Sequence, residues 1–78
     1  MEEQLLQRVS LNPEVMAGKP VIRGTRIPVE FIVRMLAQGI SESEILQEYP
    51  RLHPEDIRAA LAYAARVLAS EDVFPVAA

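Results

Sequence analysis

The side chains of this protein that could do chemistry gather in one run, Gly18-Lys19-Pro20-Val21-Ile22-Arg23-Gly24-Thr25-Arg26. Glycines, a lysine and a hydroxyl are the ingredients of a phosphate-binding loop, in which backbone N–H groups cradle the phosphates and a lysine reaches the terminal one. That chemistry requires the order Gly-x-x-x-x-Gly-Lys-Ser/Thr. Here five residues separate Gly18 from Gly24, and a glycine, not a lysine, precedes Thr25. Nucleotide binding by such a loop is therefore rejected. What remains is positive charge beside a hydroxyl, the chemistry of contact with a phosphate backbone.

The charge distribution sharpens that point. Residues 19–34 carry Lys19, Arg23, Arg26 and Arg34 against Glu30 alone, while residues 35–78 carry seven acids against Arg51, Arg58 and Arg66. The net charge of −3 argues against indiscriminate nucleic-acid binding. A basic stripe on an acidic body is nevertheless compatible with one specific anionic contact. Lys19, Arg23, Thr25 and Arg26, joined by Arg51 and Arg58, are the candidate nucleic-acid contacts. The competing reading is a solvated rim with an ion pair or two, which contribute little to stability.

Catalytic chemistry finds no constellation. His53 is the single histidine, and general acid–base work needs a positioned partner. Its place before Pro54 suits the start of a helix instead. Glu42, Glu44 and Glu48 read as a solvated helix face. With no cysteine and one histidine, neither a disulfide nor a dedicated zinc site is expected, and no cofactor is expected. The chain reads as non-enzymatic.

The elements that must position these residues follow from pattern. Residues 8–27 are extended: Val9 and Leu11 alternate with Arg8 and Ser10 as in a short strand, Asn12-Pro13-Glu14 reads as a turn, and Pro20 restricts Lys19. Val21-Ile22 and Arg26-Ile27 flank Arg23-Gly24-Thr25 as in a small hairpin. From Pro28 the period becomes helical, with Val29, Ile32, Val33 and Leu36 on one face and Phe31 and Met35 in a second apolar row; Gly39 ends that helix. Ser41 and Glu44 match a capping box, with Ile45, Leu46 and Tyr49 on the buried side and Pro50 as the stop. Pro54 opens the last helix, with Glu55 and Asp56 at the positive end of its dipole. Its expected core stripe is Ile57, Ala60, Leu61, Ala64, Val67 and Leu68, ending near Ala69. The fold expected is mainly α: one domain over residues 1–78, with a short N-terminal strand and hairpin (8–27), a three-helix, helix-turn-helix-like bundle (28–69) and a tail (70–78).

This layout sets what the chain can bind. The second and third helices of the bundle form the candidate helix-turn-helix, but a recognition helix offers polar or basic side chains at its N-terminal end. Here that end is Glu55 and Asp56, leaving Arg58 as the base reader and Arg51 as a phosphate contact. Half of the residues are hydrophobic, and a domain this small buries only ~60–65% of its unfolded surface. A homodimer is expected on that ground. Phe31 and Met35, with Val73, Phe74 and Val76 of the tail, are the candidate partner-binding residues. The acidic start, Met1-Glu2-Glu3-Gln4, lacks the features of a signal peptide. No apolar run approaches the ~18 residues of a membrane span. A cytoplasmic protein without membrane contact is expected.

The block Gly18-Lys19-Pro20-Val21-Ile22-Arg23-Gly24-Thr25-Arg26-Ile27-Pro28-Val29 closely resembles the domain-of-unknown-function family numbered 433. The likeness continues through Leu36-Ala37-Gln38-Gly39, Ile45-Leu46-Gln47-Glu48-Tyr49-Pro50 and Asp56-Ile57-Arg58-Ala59-Ala60-Leu61-Ala62-Tyr63-Ala64-Ala65. It spans about residues 8–68. The resemblance implies a VapB-like antitoxin, related to homeodomain-like helix-turn-helix domains and paired with a PIN-type nuclease. Such a chain would bind and silence the nuclease and would bind operator DNA as a homodimer. The family commonly has Thr or Ser where His53 precedes the last helix. The alternative is a protein-interaction or dimerisation module with no nucleic-acid role.

Overall fold

The computed structural model describes residues 2–70. A short helix α1, Glu2–Leu6, leads into strand β1, Val9–Ser10. After a left-handed turn at Met16–Gly18, strand β2, Val21–Ile22, follows. Helices α2, Val29–Ala37, α3, Glu42–Glu48, and α4, Pro54–Ser70, complete the domain. The architecture is mainly helical, as the pattern predicts. α1 is not announced by the sequence pattern. Five residues cannot hold a helix in water, so α1 depends on packing against α4, where Leu5 meets the core.

The extended part differs from the expected hairpin. β2 pairs antiparallel with β1, placing Val9 opposite Ile22 and Ser10 opposite Val21. Arg26-Ile27 forms no strand. The Ile22 N–H donates to the Ile27 carbonyl at 3.0 Å and the Thr25 N–H to the Ile22 carbonyl at 3.0 Å. Only a bridge between Val21 and Pro28 continues the pairing. Pro28 has no N–H to extend a ladder, whereas Val9 offers Ile22 an apolar partner. Gly24 takes φ +81 in the turn, the left-handed value that a type II turn needs at that position.

Each helix boundary has a chemical cause. Pro28 stands just before α2 in extended conformation. Gly39, at φ +88, ends it in a Schellman motif: the Gly39 N–H donates to the Leu36 carbonyl at 3.0 Å and the Ile40 N–H to the Met35 carbonyl at 3.1 Å. At α3 the capping box is complete, with Ser41 Oγ accepting from the Glu44 N–H at 3.2 Å and Glu44 Oε1 accepting from the Ser41 N–H at 3.4 Å.

The core joins one fully buried isoleucine from each main helix, Ile32, Ile45 and Ile57, to Ile22 and Val9 of the sheet. Met35, Leu52, Ala59 and Ala60 fill the remainder. The expected stripe along α4 is therefore only half realised. Ile57 and Ala60 are buried, but Leu61, Val67 and Leu68 are 44%, 38% and 63% exposed. Val67 and Leu68 line an open hollow beside Val33 and Ala37 of α2 instead of packing closely against them. None of the described helices is long and apolar enough to cross a membrane.

Candidate functional site

The structure disperses the predicted cations. Arg23 is spent on the fold. Its Nε donates to the Gln7 carbonyl at 2.8 Å and its Nη2 to the Val9 carbonyl at 3.2 Å, stapling the turn after β2 to the segment between α1 and β1. Thr25 is likewise committed: its Oγ donates to the Ile22 carbonyl at 2.7 Å and accepts from the Ile27 N–H at 3.0 Å. Lys19 pairs with Glu30 at 3.3 Å, and Arg34 reaches the same carboxylate at 3.6 Å. Arg58 lines a separate hollow with Gln4, Leu5, Arg8 and Glu55. Arg26 and Arg51 do converge. Both line one open concavity of about 570 Å³, together with Ser10, Asn12 and Thr25.

The partner-binding candidates also divide. Met35 is 7% exposed and belongs to the core, so it is not available to a partner. Although it shares a row with Phe31, Met35 joins the core cluster with Ile32 and Ile45. Phe31 stays 38% exposed and meets Tyr49 edge to face, with ring centroids 5.8 Å apart. Val73, Phe74 and Val76 lie outside the described residues.

An apolar groove lies where periodicity predicts core. Val29, Val33 and Ala37 of α2 face Ala64, Val67 and Leu68 of α4 across a groove of about 590 Å³. Lys19, Glu30 and Arg34, the paired charges just described, stand along it. α1 covers a different flank of α4, where Arg66 Nη2 donates to Glu2 Oε2 at 2.9 Å. The groove is thus an apolar floor with a polar rim, the anatomy of a protein–protein contact.

One polar cluster escaped the sequence reading. Asp56 is 4% exposed, the buried charge among the described residues. Its Oδ2 accepts from the His53 N–H at 2.8 Å and its Oδ1 from Arg8 Nη1 at 2.9 Å. The His53-x-x-Asp56 spacing is the reach-back half of a capping box, which was legible. Arg8, 48 residues away, was not. Asp56 therefore does not confront a ligand at the start of α4; its charge is already answered.

Comparison with known proteins agrees with the sequence likeness. The family described as "Protein of unknown function (DUF433)" matches residues 9–64. The uncharacterized protein y4eO of Sinorhizobium fredii is 41% identical over 56 residues, covering 72% of this chain and 25% of its own length. An uncharacterized protein of Archaeoglobus fulgidus is 53% identical over 30 residues, covering 38% of this chain and 83% of its own. The crystal structure of a DUF433 member from Anabaena variabilis shares the fold at a TM-score of 0.72 and 40% identity, covering 82% of this chain and 64% of that one. The chain thus spans a quarter of the Sinorhizobium protein and less than two thirds of the Anabaena one. With the match running from β1 into the second half of α4, this chain belongs to the DUF433 family.

Proposed function

We propose that the chain is a non-catalytic, antitoxin-type binding module that seats an apolar segment of a protein partner in the groove between α2 and α4. The observation that carries this reading is the uncovered second half of α4, where Val67 and Leu68 stand 38% and 63% exposed beside Val33 and Ala37. Fully covering a valine or leucine side chain is worth ~1.5–3 kcal/mol. The paired charges along the groove suit the polar rim of such a contact and disfavour burial in the chain's own core. A PIN-type nuclease is the partner that the family likeness implies, and silencing it is the activity that would follow.

The test is coexpression with the product of the neighbouring reading frame. Stoichiometric co-elution, loss of that product's RNA cleavage, and release of both by Val67→Asp or Leu68→Asp support the reading. A neighbour whose cleavage is untouched by excess chain refutes it.

A second reading uses the same groove for a second copy of the chain. A thin core and an apolar face repeated on every copy favour it, since a two-fold contact needs a self-complementary patch. Light scattering of the chain alone separates the two: a monomer that associates only with the neighbour excludes the dimer.

A further inference from the structure

We propose that the concavity between the turn after β2 and the α3–α4 connection is a binding site for a nucleic-acid phosphodiester, held by Arg26 and Arg51. It shares no lining residue with the apolar groove and stands independently of any protein partner.

Arg8, Lys19, Arg34 and Arg66 each meet a carboxylate within 3.6 Å, and Arg23 is taken by two backbone carbonyls. Among the described residues, Arg26, Arg51 and Arg58 have neither an ion pair nor a hydrogen-bond acceptor, and Arg58 lines its hollow together with the carboxylate of Glu55. The chain is net acidic, with eleven carboxylate side chains, yet none of those described lines the concavity of Arg26 and Arg51. Two elements far apart in sequence thus bring like charges to one hollow with no counter-charge. Like charges so placed repel, and an anion between them relieves that repulsion.

The other polar groups point the same way. Ser10 Oγ accepts from the Asn12 N–H at 3.4 Å and Asn12 Oδ1 accepts from the Glu14 N–H at 2.9 Å. Those bonds use acceptor capacity, so the Ser10 hydroxyl proton and the Asn12 amide N–H groups remain as donors. The site is therefore donor-rich and suited to oxyanion oxygens. Guanidinium groups match phosphate geometry with paired N–H donors. The hollow is wide and open rather than closed around one small ion, which favours a phosphate carried on a passing strand. A body of net charge −3 restricts such contact to this patch.

The test is fluorescence anisotropy of a labelled mixed-sequence DNA duplex across a salt series, with titration calorimetry of inorganic phosphate alongside. The expected result is binding at low salt whose log–log salt slope falls by about one for Arg26→Ala and again for Arg51→Ala. Arg34→Ala, on the other groove, should leave the slope unchanged. Among the described residues neither the Arg26 nor the Arg51 side chain makes a hydrogen bond or ion pair, so circular dichroism of both variants should match the parent. No duplex binding at low salt, or a slope indifferent to Arg26 and Arg51, overturns the proposal. Phosphate binding that depends on both arginines without duplex binding also overturns it, in favour of a small phosphorylated ligand.

Discussion

Arg8 and Asp56 bind the two ends of the fold together: the Arg8 Nη1 donates to Asp56 Oδ1 at 2.9 Å while Asp56 Oδ2 accepts from the His53 N–H that opens α4. One carboxylate thus caps a helix and anchors the segment before β1. Removing one partner of a buried pair costs ~3–5 kcal/mol, and a lost cap ~1 kcal/mol. Arg8 is 40% exposed, so solvent screens part of the pair. Asp56→Ala is expected to destabilise the domain by about 2–3 kcal/mol, read by urea unfolding. Asp56→Asn, which keeps an acceptor for the His53 N–H, should cost less. Equal costs would show that the charge on Asp56 contributes nothing.

Arg23 should behave as a structural staple rather than a ligand contact. Its fork bonds two carbonyls, Gln7 and Val9, at once. A hydrogen bond from a charged donor contributes ~1.5–3 kcal/mol when well shielded; on this exposed side chain the two together are worth about 1–2 kcal/mol. Arg23→Ala is expected to lower stability by that amount, and Arg23→Lys to recover little of it, because a point charge does not reproduce the fork. Unchanged unfolding in Arg23→Ala would free this residue for a binding role.

The parts of this fold that were legible in the sequence are local. Ser41-x-x-Glu44, Gly39 and Pro54 announce their caps within a few residues, and the structure realises each of them. The partner of β2 was not legible. Val21-Ile22 has a near candidate in Arg26-Ile27 and a distant one in Val9-Ser10, and local pattern favours the near one. The stripe along α4 failed for a related reason. Periodicity says which side of a helix is apolar, not how closely a neighbour packs against it. The basic stripe was visible as a count, but whether an arginine is spent on carbonyls, as Arg23 is, or left bare, as Arg26 is, depends on which chain passes beside it.

Backbone conformation supplies a prediction at the turn before β2. Met16, Ala17 and Gly18 all have positive φ, at 50°, 56° and 82°. A non-glycine residue in that region carries a steric cost of ~1–2 kcal/mol. Ala17→Gly removes the clash, while the freer unfolded chain offsets part of the gain. A net stabilisation of about 0.5 kcal/mol is expected, seen as a higher urea midpoint with an unchanged slope. A lower midpoint would show that Ala17 leaves this conformation in solution.

The covered and uncovered halves of α4 should respond to mutation in opposite ways. Ala59 is fully buried, so Ala59→Leu must force a larger side chain into packed space at a cost of ~1–3 kcal/mol. Leu68 is 63% exposed, so Leu68→Ser should change the stability of an isolated monomer by less than ~0.5 kcal/mol. If a second copy covers the groove, that equality breaks. Stability then rises with protein concentration through mass action, and Leu68→Ser abolishes the rise. Thermal unfolding at a series of concentrations reads both quantities in one experiment. A concentration-independent midpoint, identical for the parent and Leu68→Ser, assigns the groove to a partner other than the chain itself. A concentration-dependent midpoint that survives Leu68→Ser moves the dimer contact off α4 altogether, and with it the second reading of the groove.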